Sequence, residues 1–152
     1  MRMDDDHDAR RRTVMAILAG AEGAAIARLA ADAALDLDAQ PLRGPETGLV
    51  TVRGRIGGGG APFNVGEATV TRASVRLASG TVGHAYALGR DGDKARLSAI
   101  LDALWQQPDT RGRVETAVVA PLAAAREAER TVRRSETEAT RVDFFTMVRG
   151  ED

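Results

Sequence analysis

The chain has 152 residues, 43% of them hydrophobic, with three Phe, one Trp and one Tyr and a formal net charge of −1. That is material for one domain with one modest core built from Ala, Val, Leu and Ile, and the charge balance excludes a nucleic-acid binder working through bulk positive potential. The absence of cysteine removes disulfides, thiolate nucleophiles, cysteine zinc sites and ordinary iron–sulfur ligation.

No secretory signal is read at the start, because "MRMDDDHDARRR" is acidic and then basic where a signal needs an apolar run. Nor is any apolar run long enough to span a bilayer, so the expectation is a cytoplasmic protein with no membrane partner. Lys94 is the single lysine among 21 basic residues, so the chain depends on arginine for its positive charge.

The sequence predicts an α+β domain over residues 1–152, an antiparallel β-meander packed by N-terminal and central helices. Residues 1–8 read as a solvated, disordered tail carrying His7. "ARRRTVMAILAG" then starts a helix with Val14, Ile17 and Leu18 on one face, Gly20 and Gly23 interrupt it, and Ile26, Leu29, Ala30 and Ala33 continue it at spacings of three and four. Strand signals run from Leu35 to about Leu88. In "GLVTVRGRI" the residues Val50, Val52 and Ile56 share one face, which predicts a half-buried strand. In "FNVGEATVTRASVRL" the apolar phase slips from Ala68 and Val70 to Ala73, Val75 and Leu77, which predicts a β-bulge or short break near Thr71. After a turn at "SGT", "VGHAYALG" supplies another strand.

The clearest helix is "RDGDKARLSAILDALWQQP", with Leu97, Ile100, Leu101, Leu104 and Trp105 on one face, Asp91 or Asp93 as cap and Pro108 as terminator. Residues 121–152 form a helical arm and tail. Pro121 suits a first turn, and "PLAAAREAERTVRRSETEATRV" is charged and poor in large apolar residues, so it is either a solvated strut or an arm that packs on another chain. The tail "RVDFFTMVRGED" is apolar on both sides when extended, with Val142, Phe144 and Val148 on one side and Phe145 and Met147 on the other. Such a strand completes the protein's own sheet or adds to a partner's. The interface reading assigns Phe144, Phe145 and Met147 to burial against another chain, with Arg141 and Arg149 at the rim.

Sites of chemistry are sparse. "GGGG" at Gly57–Gly60 lacks a following "GK[ST]" and joins two strands, so it reads as a flexible hairpin connection rather than a phosphate cradle. His7 and His84 are the only histidines, too few for a metal cluster. His84 and Tyr86 share a strand face and could lie over a ligand, though a half-buried, hydrogen-bonded histidine is the simpler reading. Ser74, Ser79 and Ser98 lack a nucleophile-elbow context. The residues assign no catalytic group, no metal and no cofactor to this chain.

"ETGLV" at Glu46–Val50, "GEATVTRASVRL" at Gly66–Leu77, "GTVGHAYALGRD" at Gly80–Asp91, "AILDALWQQ" and "TRVDFFTMVRG" together resemble the PhnG subunit of the bacterial carbon–phosphorus lyase system. The resemblance implies a subunit of a soluble core complex with PhnH, PhnI and PhnJ, present in two copies, that breaks down organophosphonates. In the early reaction ascribed to the family a phosphonate displaces adenine from ATP, giving a ribose 1-phosphonate 5-triphosphate; ATP is thus a substrate of the complex. PhnI is the implied seat of that step and PhnJ of the iron–sulfur step. This chain is then an accessory, structural subunit. The opposing reading is that Arg53, Arg55 or Arg72, with the glycine loop nearby, contributes triphosphate-binding groups directly.

Overall fold

The computed structural model describes residues 2–55 and 59–140. Helix α1 (Arg2–Gly20) and helix α2 (Gly23–Asp32) are followed by strands β1 (Gln40–Gly54), β2 (Phe63–Arg76) and β3 (Val82–Leu88). Helices α3 (Gly92–Gln106), α4 (Pro108–Val114) and α5 (Ala120–Ala139) complete the order, with one π-helical turn at Glu115–Val119 between α4 and α5. The strands form an antiparallel meander in the order β1-β2-β3, which is the α+β architecture read from the sequence.

The expected glycine break separates α1 from α2, whose axes differ by 116°. Val14, Leu18, Ile26 and Ala30 enter one core with Ile100, Leu101, Leu104 and Trp105 of α3. Lys94 donates from Nζ to the Ala19 carbonyl at 2.8 Å, placing the one lysine of the chain at the C-terminal end of α1, where a cation is favoured. Asp91 is the cap of α3, accepting from the Lys94 backbone N–H at 2.8 Å.

The N-terminal tail reading is corrected, since α1 already begins at Arg2. The reason is tertiary. His7 stacks on Trp105 with ring centroids 5.0 Å apart, and Arg10 and Arg11 pair with Glu115 and Asp102, so the charged first turns are held by partners that lie about a hundred residues away in sequence.

The bulge expected near Thr71 is absent, because β2 pairs with β3 without a break from Val70 to Arg76. Thr71, Ala73, Val75 and Leu77 keep one phase toward the helices, and Val70 lies on the opposite face. A buried threonine disguised the pattern. Its Oγ1 donates to the Gly89 carbonyl at 2.7 Å and shares a hydrogen bond of 2.9 Å with Thr47 Oγ1. The register shifts fall instead between Pro41 and Glu46 and between Val52 and Arg53 in β1.

Strand β1 also departs from expectation. Its residues are exposed apart from the half-buried Val50 and Gly54, because the helices cover only the sheet beside β2 and β3. Beyond them β1 and β2 continue as a two-stranded ribbon.

Pro108 stands where α3 ends, after an extended Gln107, as expected of a terminator, and opens α4 at once; Pro121 sits in the first turn of α5, in a helix continuous with the π turn. Proline removes one backbone donor and crowds the preceding turn; the wide turn just before it, with Ala120 N–H bonded to the Glu115 carbonyl, makes room for the ring. Only Leu122 of α5 is buried. The tail residues Arg141, Phe144, Phe145, Met147 and Arg149 lie outside the described residues.

Gly83 marks the closest approach of β3 to α3: a Cβ there would strike the Ala99 carbonyl oxygen and stand 2.8 Å from Ala103 Cβ. Gly83→Ala should therefore destabilise the domain by about 1–3 kcal/mol, as overpacking does. Gly66→Ala on the ribbon, with nothing within 4 Å, should leave a chemical denaturation curve nearly unchanged.

Candidate functional site

Asp102 stands on α3 inside the apolar run "AILDALW" and is fully buried. Its carboxylate accepts from Arg11 Nε at 2.9 Å and Arg11 Nη2 at 2.8 Å. It also accepts from the His84 backbone N–H at 2.9 Å and, at 3.4 Å, from Gln106 Nε2. The hydrogen bond to Asp102 holds the Arg11 guanidinium above its ordinary pKa against the opposing effect of burial. Because the folded value is raised, the stabilisation from this guanidinium is complete at all pH below its ordinary value and is lost only as pH rises through the folded one. This anchor was missed in the sequence; the available signal was one acidic residue interrupting an otherwise apolar helix face.

Asp102 thereby fixes the position of His84. The ring projects to the exposed outer face of the sheet, where Nδ1 lies 2.9 Å from Ser74 Oγ. His84 is exposed rather than half-buried. Glu46, Arg72 and Tyr86 are paired across the three strands on this same face, and Glu46 Oε2 accepts from Arg72 Nη2 at 3.0 Å. The serine and histidine do not amount to a nucleophilic triad, since the carboxylate of Asp102 holds the backbone of His84 and not its ring. Among the described residues no three His, Asp or Glu side chains are grouped to hold a metal.

The arginines of the triphosphate reading are not brought together. Arg72 lies opposite Glu46 and Arg53 opposite Asn64, so the seven residues from Glu46 to Arg53 put them about 24 Å apart along the strand. Arg72 is also already paired with Glu46.

The ribbon instead presents apolar side chains. Leu49 and Val65 are 64% and 61% exposed, and Val52 and Phe63 exceed 40%. Residues 40–90 carry six arginines against two glutamates, a net of +4 in a chain whose total is −1. A solvent-facing two-stranded ribbon is marginal by itself, and one that exposes apolar side chains has the make-up of a protein contact surface.

Comparison with known proteins gives the same direction. A family model described as phosphonate metabolism protein PhnG matches residues 9–150. The chain belongs to the PhnG family. A relative from Rhizobium meliloti (strain 1021), named alpha-D-ribose 1-methylphosphonate 5-triphosphate synthase subunit PhnG, is 56% identical over 150 residues, covering 98% of this chain and 95% of the relative. The resemblance read from five short strings thus extends over the PhnG length, including the tail beyond the described residues.

The anchor can be tested by charge. Arg11→Leu leaves the buried Asp102 carboxylate without its counter-charge and should cost about 3–5 kcal/mol. Adding Asp102→Asn, which removes that charge but keeps an acceptor for the His84 N–H, should recover part of the loss. Denaturation of the single and double variants decides this: equal stabilities would show that the pairing of charges is not the source.

Proposed function

We propose that the chain is an accessory, structural subunit of a multi-subunit synthase in organophosphonate breakdown. The complex joins a phosphonate to the ribose C1 of ATP with departure of adenine, giving a ribose 1-phosphonate 5-triphosphate. The observation that carries the reading is the near-full-length identity to a relative named as a subunit of such a synthase. The separation of Arg53 from Arg72, the pairing of Arg72 with Glu46 and the exposed apolar ribbon favour a structural role over a direct share in triphosphate binding.

In this reading the partners are PhnI, PhnH and PhnJ, two copies of the chain enter one assembly, and the assembly is cytoplasmic. No single helix among the described residues is long and apolar enough to cross a membrane. The chain brings no metal or cofactor of its own. Its tail supplies contacts to another chain through Phe144, Phe145 and Met147, with Arg141 and Arg149 at the rim.

The test is co-purification. A tagged chain recovered from phosphate-starved cells should elute in a complex much heavier than 16.1 kDa, with the other synthase subunits identified by mass. Recovery of a lone monomer while every subunit is expressed would overturn the proposal. Replacing Phe144 and Phe145 with Ala should leave the melt of the isolated chain nearly unchanged while abolishing co-purification; a collapsed melt would assign the two rings to the chain's own core.

A further inference from the structure

The edge of β3 that faces α1 is built to receive another strand. The Gly89 N–H bonds to the Thr69 carbonyl at 2.9 Å, so the odd-numbered residues of β3 direct their backbone groups at β2 and the even-numbered ones point away. Two of these outward groups have been capped by side chains of α3: His84 N–H by Asp102 and the Val82 carbonyl by Gln106 Nε2 at 2.9 Å. The next ones, the His84 carbonyl and both backbone groups of Tyr86, form no hydrogen bond among the described residues.

A cleft of about 210 Å³ opens beside this edge, walled by Met15, Ala16 and Ala19 of α1 and by Ala85 and Ala87 of β3. Ser98 of α3 also lines it. The residue is 3% exposed, and its Oγ has no hydrogen-bond partner among the described residues. A buried hydroxyl left unpaired is costly, and this one lies where an incoming polar group would meet it. On the other side of the same edge Tyr86 and Leu88 are 51% and 72% exposed, an apolar row that ends at the rim of the sheet.

We propose that this edge takes up residues Val142–Val148 from a second copy of the chain as a fourth strand. The sequence of the segment matches the site on both faces. Val142, Phe144, Thr146 and Val148 share one side and suit the cleft, with the Thr146 hydroxyl available to Ser98. Asp143, Phe145 and Met147 share the other, where Asp143 stays in solvent and the apolar pair extends the row of Tyr86 and Leu88. Backbone pairing supplies affinity and the cleft supplies register.

The donor is a second copy because the segment starts too far away in its own chain. Arg126 touches the cleft wall through the Ala16 carbonyl, 3.4 Å from Nη1, and every residue of α5 from Glu127 onward is exposed. Ala139 lies 13 residues beyond Arg126, about 20 Å along the helix axis. Thr140 and Arg141 then give a reach of only about 10 Å before Val142. Helix α5 is thus an arm that presents the segment to a neighbour. The proposal deepens the subunit reading and rests on it in taking two copies to share one assembly.

The chain has no cysteine, so the only thiols in the tagged copies are the introduced ones. Two differently tagged copies, one bearing Leu88→Cys and the other Phe145→Cys, are co-expressed with the other synthase subunits, and the purified complex is treated with a short dithiol-reactive linker. The expected product joins the two tags, forming on the order of 100-fold faster than with a Glu67→Cys and Phe145→Cys pair, because docking raises the local concentration of the paired thiols. Ala19→Arg, which fills the cleft from a half-buried position on α1, should abolish that product and, as with the replacement of Phe144 and Phe145, co-purification, with the melt of the isolated chain nearly unchanged. A complex that assembles without the crosslink between tags would overturn the proposal and leave the subunit reading standing, as would a crosslink formed only within a copy carrying both cysteines. Failure of the other subunits to co-purify with the wild-type chain would overturn the subunit reading itself.

Discussion

A single buried carboxylate joins the parts of this fold. Asp102 brings α3 together with Arg11 of α1, 91 residues earlier, and with the backbone of His84 in β3, 18 residues earlier. Removing such a charge from water is expensive, and the cost is offset here by a bidentate guanidinium, a backbone donor and the nearby Gln106 amide. The geometry has little slack: with any principal donor withdrawn, a fully buried charge is left underbonded. That is why α1 is held against the edge of β3 instead of merely lying on an apolar surface, and why the cleft between them keeps a defined shape.

A second polar cluster holds the other end of the helical layer. Glu115, at the start of the π turn, accepts from the buried Trp105 indole at 3.0 Å and pairs with Arg10. Arg111 lies 4.9 Å from the Trp105 ring centroid and bonds to the carbonyls of Trp105 and Gln106. One aromatic side chain, covered on one side by His7, therefore aligns α1, α3, α4 and the π turn. The scarcity of aromatic residues makes this concentration of roles on Trp105 unsurprising, since a large rigid side chain can satisfy several elements at once.

The result is an asymmetric molecule. Helices cover one face of the sheet near β2 and β3, while the opposite face, the β1–β2 ribbon and most of α5 stay open to solvent. An isolated binding module has no use for that much uncovered apolar edge, and it invites aggregation. A subunit whose remaining surface is completed by other chains does, which agrees with membership of the PhnG family.

The sequence by itself determined the order of the elements, because the local signals are strong: glycines between two helical faces, alternation through the strands, Asp91 before the apolar stripe of α3 and a three-residue turn closed by Gly80, whose φ of +88° suits glycine. It also determined family membership, through strings spread along the chain. Local pattern could not decide the extent of α1, the exposure of β1 or the outward phase of Val70, since each depends on which residues lie across a tertiary contact. Asp102 shows this most clearly. In one dimension it is a charge that spoils a helix face; only when Arg11 and the His84 N–H converge on it does the fold turn that charge into its anchor, because hydrogen-bond partners for a buried carboxylate are supplied by space and not by neighbours in the chain.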